Sequence, residues 1–264
     1  MTDPLEEARR VPFTTVYGQA LAPGGRQRWG CFAIEGTRLH ERALRAEAPP
    51  LKTLVAASFG AAPREQALLR ALAERGVPTE QVPDATLAPL LGGRTFGAIL
   101  GLVPLPPAPS WDALLEGPDP RLVVLVDVTD PGNVGALVRT AHASGAAGLL
   151  AVGRSDPFHP KAVRASMGSV FKLPLLTLDV APWEALRARG VRTVAATTGG
   201  GDLGAFVPEP GAYALVLGSE AHGLEPAPWD QALRIPMPPG VDSYSVNAAA
   251  AVLLWALRPR TAGS

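Results

Sequence analysis

Arg139 is the residue whose surroundings most clearly suggest chemistry. It lies in DPGNVGALVRTAHA, residues 130–143, where a tight polar turn opens a predicted helix of otherwise small or apolar residues. At 100° per residue, Gly135, Arg139 and His142 share one flank of that helix, and Gly135 leaves room beside the guanidinium. Because a guanidinium keeps its proton, its natural ligand is an anion. A surface ion pair also explains an arginine at this place, so this helix alone leaves both interpretations open.

Two other segments place small or polar residues just after a predicted strand. In YALVLGSEAHGL, residues 213–224, Gly218 permits a close approach of the backbone to a ligand, and Glu220 either caps a helix or anchors the neighbouring loop. In IPMPPGVDSYSVNAAAA, residues 235–251, a proline–glycine loop leads into a final helix with Ser243 as its predicted N-cap. Ligands of open α/β sheets lie beyond the carboxyl ends of the strands, so we expect the three segments to face one ligand site.

The second half of the chain predicts the sheet that would position these segments. Apolar stretches predict parallel strands at residues 121–128, 148–152, 191–196, 213–217 and 233–236. Helices are predicted at residues 133–144, 182–189 and 243–258. Asn133 is the predicted N-cap of the first of them. The alternation of strands and helices is typical of an open parallel α/β sheet.

The first half alternates in the same way and predicts a small α/β sandwich. Strands are expected at residues 29–34, 51–57 and 96–103, and helices at residues 37–46, 63–76 and 82–91. The stretch PLPPAPSWDALLEGPDP follows, and its density of prolines is typical of a stiff connector. We therefore expect a first domain over residues 1–104, a linker over residues 105–120 and a second domain over residues 121–264.

Composition narrows the class of protein. Hydrophobic residues make up 47% of the chain, which is typical of a globular protein. The net charge is zero, so the composition lacks the excess of basic residues that is typical of nucleic-acid-binding proteins. One cysteine and four scattered histidines predict neither a disulfide nor a metal site. No apolar run approaches the length of about 20 residues that crosses a bilayer, and the N-terminus is unlike a signal peptide, so we expect a cytoplasmic protein. The glycine patterns of dinucleotide and phosphate loops are also missing from the sequence.

In their order along the chain, the three segments resemble the three motifs of the SpoU–TrmH family of RNA ribose 2′-O-methyltransferases, within the SPOUT superfamily. KAVRASMGSVFKLP, residues 161–174, is similar to the R-x-S-x-G segment of that family, and the resemblance covers residues 121–258 closely. RWGCFAIEGTRLHERALRA, residues 28–46, and GAILGLVPLP, residues 97–106, are similar to the substrate-binding domain of members that act on ribosomal RNA. That domain is itself similar to a ribosomal protein that binds kinked RNA.

The resemblance implies a SPOUT domain with a trefoil knot, a homodimer, and S-adenosylmethionine as the cofactor. The catalytic residues that it implies are Asn133, Arg139, Glu220, Ser243 and Ser245. The cofactor-binding residues that it implies are Thr197, Leu217, Gly218, Ile235, Met237, Tyr244 and Val246. We expect RNA contacts from Arg26, Arg28, Arg139 and Arg164, with Arg9 and Arg10 near the same surface. The final helix, with Leu253, Leu254 and Trp255, forms either the dimer interface or ordinary core.

The third motif departs from the family pattern. Members commonly read S-L-N-V-S, whereas this chain reads Ser243-Tyr244-Ser245-Val246-Asn247. Two helical residues lie about 200° apart, so Asn247 is not expected to replace the missing asparagine from the same face. The resemblance implies methylation of a ribose 2′-OH in ribosomal RNA, with large-subunit RNA as the expected substrate. Two alternatives stay open: a transfer-RNA ribose methyltransferase, and a non-catalytic RNA-binding assembly factor on the same scaffold.

Overall fold

The computed structural model describes residues 3–91, 98–219 and 222–258. The chain divides into two compact units. Unit 1 comprises Met1–Pro107 and Phe158–Phe171, and unit 2 comprises Ala108–Pro157 and Lys172–Ser264. The chain therefore leaves unit 2 at residues 158–171 to contribute to unit 1. The sequence patterns do not indicate this exchange, and the second predicted domain had included the segment.

Strands and helices alternate through most of the described residues, as the sequence predicts. The strands are β1 (Cys31–Glu35), β2 (Lys52–Ala56), β3 (Thr79–Val82), β4 (Ile99–Pro104), β5 (Arg121–Val126), β6 (Gly148–Val152), β7 (Leu175–Leu178), β8 (Arg192–Asp202), β9 (Tyr213–Leu217) and β10 (Gln231–Arg234). The α-helices are α1 (Pro4–Arg10), α2 (Phe13–Ala20), α3 (Pro23–Trp29), α4 (Thr37–Arg45), α5 (Pro63–Glu74), α6 (Asp84–Leu87), α7 (Trp111–Leu114), α8 (Pro131–Ala143), α9 (Pro160–Ala165), α10 (Trp183–Arg187) and α11 (Val246–Ala256).

Unit 1 is built on a four-stranded sheet in the order β1-β4-β2-β3. β4 is antiparallel to β1 and β2, and β2 is parallel to β3. The predicted strands at 29–34, 51–57 and 96–103 correspond to β1, β2 and β4, although residues 96 and 97 lie outside the described residues. β3 was not predicted because its sequence, TEQV, is polar and mostly exposed. Trp29, Leu54, Leu72 and Leu100 belong to the core of this unit.

Three N-terminal helices of unit 1 were also missed. α1, α2 and α3 have only seven or eight residues each, which is about two turns and too short to show a clear apolar period. Local signals do mark them: Asp3 caps α1 by accepting from the backbone N–H of Leu5 across 3.0 Å, and α1 and α3 both start with a proline.

The segment from 158 to 171 packs against β1. The rings of Phe158 and Phe171 lie 5.1 and 6.1 Å from the ring of Phe32, measured between centroids. Arg164 donates from Nη1 to Oε2 of Glu35, the last residue of β1, across 2.9 Å. These contacts explain why α9 belongs to unit 1 although its sequence neighbours belong to unit 2.

Unit 2 contains a six-stranded sheet in the order β10-β8-β9-β5-β6-β7. Every adjacent pair in this order is parallel, which confirms the prediction of a parallel α/β sheet. β6 and β9 are buried along their whole length, and β5 is buried at its four central residues. Central parallel strands are covered on both faces, which is why the sequence shows them as continuous apolar runs. β7 was missed because it has only four residues.

The predicted linker contains regular structure. Ser110 caps α7 by accepting from the backbone N–H of Ala113 across 3.2 Å, and Leu114 belongs to the core of unit 2. The proline density of residues 105–120 hid this short helix. Among the described helices, none is both long enough and apolar enough to span a bilayer.

Candidate active site

A cavity of about 560 Å³ opens in unit 2 where β8, β9 and β10 reach the same edge of the sheet. Its described lining comes from β8, from the segments after β9 and β10, and from the start of α11; these residues are Ala196, Thr197, Thr198, Leu217, Gly218, Ser219, His222, Gly223, Leu224, Leu233, Ile235, Met237, Ser243, Tyr244, Ser245, Val246, Ala249 and Leu253. The carboxyl ends of parallel strands meet at one edge, as the sequence argument requires.

The predicted cofactor-binding residues are brought together here. All seven line this cavity: Thr197, Leu217, Gly218, Ile235, Met237, Tyr244 and Val246. Ser243 and Ser245, two of the predicted catalytic residues, line it as well. Glu220, another predicted catalytic residue, lies outside the described residues.

The cavity walls combine apolar side chains with hydroxyl groups. Leu217, Ile235 and Met237 contribute apolar surface, whereas Thr197 and Ser243 contribute hydroxyl groups that both donate and accept hydrogen bonds. Among the described lining residues there is no carboxylate, lysine or arginine. Such a wall suits a ligand with a flat apolar part and several polar edges.

The register of β10 on β8 creates one wall of the cavity. Ala232 pairs with Ala195, but the next residue, Leu233, pairs with Gly201, so the register skips residues 196–200 of β8. Residues 196–198 of the skipped stretch line the cavity. A side chain at Gly200 would overlap the backbone carbonyl of Ala232, so a glycine is needed where the two strands pass each other.

Gly218 lies where two backbone segments touch. A Cβ atom at this position would overlap the carbonyl group of Gly223. The backbone N–H of Gly223 also donates to the carbonyl of Ser219 across 2.8 Å. The sequence assigned Gly218 to the approach of a ligand; the structure adds that the glycine lets the chain fold back on itself beside the cavity.

The first turn of α8 differs from the prediction at its cap. Asp130, not Asn133, is the N-cap, because its Oδ1 accepts from the backbone N–H of Asn133 across 2.9 Å. Pro131 occupies the first helical position, which is typical of a helix start. Asn133 is thus the third helical residue.

The N-terminus of α11 also differs from the prediction. The helix begins at Val246 rather than at 243, and Ser245 is its N-cap, with Oγ accepting from the backbone N–H of Ala248 across 3.3 Å. Ser243 is therefore not the cap; it is exposed and lines the cavity.

Asn247, in the first turn of α11, contacts α8. Its Nδ2 donates to Oδ1 of Asn133 across 2.9 Å. The Oδ1 atom of Asn247 is buried and has no hydrogen-bond partner among the described residues. The sequence alone did not predict this contact. The signal that could have indicated it is the third motif, in which serine stands at 245 and asparagine at 247, the reverse of the family order.

Arg139 lies on the exposed side of α8. The predicted buried stripe of this helix is confirmed, since Val134, Leu137 and Val138 are at most 1% exposed. Within residues 3–91, 98–219 and 222–258, nothing forms a hydrogen bond or an ion pair with the Arg139 guanidinium. The surface ion pair that the sequence left open is therefore not formed with the described part of the chain, and the cation is accessible to an external anion.

Asp127 shapes the turn that leads into α8, and the sequence did not single it out. Its φ is +52°, an uncommon value for a residue with a side chain. Its Oδ1 accepts from the backbone N–H of Arg154 across 3.0 Å, and this bond, with the side chain of Arg154, lowers the pKa of the carboxyl group. Val128 donates its backbone N–H to Oγ of Ser155 across 3.0 Å. The turn is thereby fixed to the segment after β6.

The arginines expected to contact RNA in unit 1 differ in their exposure. Arg26 is 4% exposed, and its Nη1 donates to the carbonyls of Ala20 and Leu21 at the end of α2. The expectation that Arg26 contacts RNA is therefore wrong, because its guanidinium is used inside the fold. Arg28 is exposed and forms an ion pair of 3.8 Å with Glu7. Arg164 is half-buried against Glu35, as described above.

Comparisons with known proteins agree on one family. A sequence model of the SpoU rRNA Methylase family matches residues 120–255. The 23S rRNA (guanosine(2553)-2′-O)-methyltransferase RlmP of Bacillus subtilis is 28% identical over 88% of this chain and 90% of its own length. The 23S rRNA (uridine(2479)-2′-O)-methyltransferase of Streptomyces viridochromogenes is 35% identical over 72% of this chain and 71% of its own. The structure of the SpoU methyltransferase AviRb from Streptomyces viridochromogenes, in complex with the cofactor AdoMet, matches with a TM-score of 0.80 and 28% identity, covering 94% of this chain and 97% of AviRb.

Proposed function

Because this chain belongs to the SpoU rRNA Methylase family, we propose that it transfers a methyl group from S-adenosylmethionine to a ribose 2′-OH of ribosomal RNA. Large-subunit RNA is the proposed substrate, since the relatives reported above are named as 23S rRNA methyltransferases. The observation that carries the proposal is that the segments after β9 and β10 line one cavity within the residues that the family matches. The transfer-RNA alternative loses support because these relatives are named as 23S rRNA methyltransferases, and the non-catalytic alternative loses support because the motif segments line a cavity.

The cavity fits the cofactor in size and in the chemistry of its walls. Its volume of about 560 Å³ lies within the range of roughly 300–1,000 Å³ that is usual for small-molecule sites. Leu217, Ile235 and Met237 suit the adenine ring, and the hydroxyl groups of Thr197 and Ser243 suit the polar parts of the molecule. When bound, S-adenosylmethionine supplies a methyl group on a sulfonium that is already activated for transfer.

The work left to the protein is alignment of the ribose and stabilisation of the charge that develops on its 2′-oxygen. We assign this to Arg139, which is a fixed cation free of partners among the described residues. It binds the phosphate of the target nucleotide and stabilises the developing alkoxide. It does not act as the proton acceptor, because a guanidinium is not a base near neutral pH. The hydroxyl proton passes to water as the bond from the methyl group to oxygen forms and its bond to sulfur breaks. We assign Asn133 to shaping the turn before α8 and orienting Arg139, Ser243 to positioning the substrate, and Glu220, which lies outside the described residues, to bracing the site.

The trefoil knot belongs to the same proposal. Its support is the family match over residues 120–255, which include the segments that the knot would involve. We also propose that unit 1 is the domain that binds the RNA substrate. A cytoplasmic location follows from the proposed ribosomal RNA substrate.

We propose a homodimer in which α11 forms part of the interface. Leu253 and Leu254 are each 1% exposed and belong to the core, so they are not available to a partner. Trp255 is 65% exposed and Val252 is 39% exposed on the same helix. An exposed tryptophan beside an exposed valine is typical of an interface between subunits.

Transfer of radiolabel from S-adenosylmethionine to unmodified RNA tests the proposal. We expect label in the RNA of the large ribosomal subunit, and nuclease digestion should place it on a ribose. Small-subunit RNA and bulk transfer RNA serve as controls and should stay unlabelled. Label confined to transfer RNA would contradict the substrate, and no label in any RNA would contradict the enzyme assignment.

A further inference from the structure

Tyr244 is an exposed aromatic residue at the mouth of the cavity in unit 2. It lines the cavity, and yet it is 46% exposed. Among the described lining residues, it is the only large apolar side chain that is exposed to this degree. Others, such as Leu217, Ile235 and Met237, are buried or half-buried. Tyr244 therefore belongs to the rim of the cavity rather than to its inner wall.

The ring of Tyr244 is not engaged in the fold. Within residues 3–91, 98–219 and 222–258, it forms no ring stacking, no cation–π contact and no hydrogen bond. The tyrosine at the start of β9, Tyr213, behaves differently, because its hydroxyl accepts from the backbone N–H of Glu209 across 2.8 Å and Arg192 lies over its ring. The ring of Tyr244 thus offers an apolar face and a polar edge to an external ligand.

The loop that carries Tyr244 is unsuited to phosphate. Its sequence, IPMPPGVDSYS over residues 235–245, contains neither lysine nor arginine, and its one charged side chain is that of Asp242. Val241, which is 50% exposed, adds a second apolar side chain three residues before Tyr244. Because the Asp242 carboxylate repels phosphate, the uncharged face of a nucleobase matches this rim better than the RNA backbone does.

Tyr244 directly follows Ser243, the residue assigned above to positioning the substrate, and the Cα atoms of neighbouring residues lie about 3.8 Å apart. In a nucleotide, the base is attached to the ribose carbon next to the one that carries the 2′-OH. With the 2′-OH directed at the cofactor in the cavity, the base of the same nucleotide therefore lies at the rim. Unpaired bases of RNA commonly stack on aromatic side chains.

We propose that the ring of Tyr244 stacks on the base of the nucleotide that is methylated. The inference rests on the proposed function and adds a contact that fixes the ribose through its own base. Stacking needs a free face, so the target nucleotide is single-stranded or extruded from its helix when it is bound. Because every base has such a face, the contact orients the nucleotide without selecting its identity. The backbone of Tyr244 stays assigned to the cofactor.

The test combines variants of the full-length protein with a change in the RNA. The methylated nucleotide is first mapped after reaction of the wild type with 23S ribosomal RNA transcribed in vitro. The same RNA is then assembled by splinted ligation with either the natural base or an abasic ribose at that nucleotide. The value of kcat/KM is measured on both RNAs for the wild type, for Tyr244→Leu, which removes the ring, and for Tyr244→Phe, which keeps it.

Val180→Ala is the matched control for the loss of exposed apolar surface. Val180 is 76% exposed and follows β7, at the end of the sheet opposite to β10. We expect it to give the same ratio between the two RNAs as the wild type.

We expect the wild type to methylate the abasic RNA roughly tenfold less efficiently than the natural RNA, which is the usual effect of losing one stacked base. Tyr244→Leu should be slowed by a similar factor on the natural RNA and should lose little more on the abasic RNA, because both changes remove the same contact. Tyr244→Phe should keep the difference between the two RNAs. The dissociation constant of S-adenosylmethionine should be unchanged in Tyr244→Leu.

An equal loss on the abasic RNA for the wild type and Tyr244→Leu would overturn the inference, because the ring would then act independently of the base. Weaker binding of S-adenosylmethionine by Tyr244→Leu would also overturn it, since the side chain would then serve the cofactor. Both results leave methyl transfer by the wild type, and with it the proposed function, intact. If the wild type methylates no nucleotide of the 23S RNA, the proposed function itself fails.

Discussion

The side chain of Asn247 donates a hydrogen bond from Nδ2 to Oδ1 of Asn133 across 2.9 Å and thereby joins the first turns of α11 and α8. Asn247 follows two residues after Ser245, which caps α11 and lines the cavity. At the third motif, this chain therefore places a serine at the cavity and an asparagine amide against α8. The amide now holds a residue of the first motif, which is a positioning role.

Replacing Asn247 with alanine should slow methyl transfer while leaving cofactor binding intact. The loss of one partly buried hydrogen bond is worth about 1 kcal/mol, which corresponds to a roughly fivefold lower kcat. The dissociation constant of S-adenosylmethionine, measured by calorimetry, should stay within about twofold. The effect on kcat should vanish when Asn133 is already alanine, because the two side chains act as a pair.

A purely structural role for Asn247 makes a different forecast. In that case Asn247→Ala would lower the unfolding temperature. It would also lower kcat by the same factor whether residue 133 is asparagine or alanine. The exchange variant, Ser245→Asn with Asn247→Ser, restores the common order of the motif. Because it also lacks the bond from residue 247 to Asn133, we expect it to be slowed like Asn247→Ala, and a fully active exchange variant would contradict the positioning role.

Gly218→Ala should weaken the binding of S-adenosylmethionine. The new Cβ atom would overlap the backbone of Gly223, and because both residues line the cavity, its wall would have to shift. We expect affinity to fall at least tenfold, measured by calorimetry on the folded protein. Gly18→Ala is the matched control, because nothing lies within 4 Å of the Cβ position at Gly18. Unchanged affinity in Gly218→Ala would show that the contact of Gly218 with Gly223 does not shape the cofactor site.

His40 should make the stability of unit 1 depend on pH. Its side chain is 0% exposed, and burial lowers its pKa from 6.5 to about 4. Between these values the unfolded chain binds the proton more readily than the folded one, so stability falls as pH drops from about 6.5 toward 4. The shift corresponds to a loss of roughly 3 kcal/mol over that range.

The measurement for His40 is the free energy of unfolding in urea at several pH values. The variant His40→Gln carries no titrating group at this position, so its stability should fall less steeply below pH 6.5. Other groups titrate in both proteins, and the difference between the two curves isolates the histidine. Parallel curves would mean that His40 is not held neutral in the folded state.

The parts of the fold that the sequence predicts are those with long local signals. β5 and β9 were predicted because they are continuous apolar runs, and α8 because its buried stripe covers several turns. The cavity-lining residues were predicted because the motif segments follow strands, and the ends of parallel strands meet at one edge. α1, β3 and β7 were missed because four to seven residues cannot display a period.

Other misses concern choices that only the three-dimensional structure decides. Asp130 and Asn133 are both good N-caps, as are Ser243 and Ser245, so composition alone does not select between them. The burial of Arg26 depends on where α2 and α3 meet, and nothing local marks it. The contact between Asn133 and Asn247 joins residues 114 positions apart. Contacts of this kind follow from the packing of α8 on α11, which no local pattern encodes.

The central claim is that Arg139 carries the positive charge that faces the incoming ribose. The most direct measurement is the single-turnover rate of methyl transfer to large-subunit RNA by Arg139→Ala, compared with the control Arg187→Ala. Loss of one charge-stabilising donor costs roughly 100-fold or more in rate, so we expect at least this decrease with unchanged binding of S-adenosylmethionine. A rate for Arg139→Ala equal to that of the control would contradict the account.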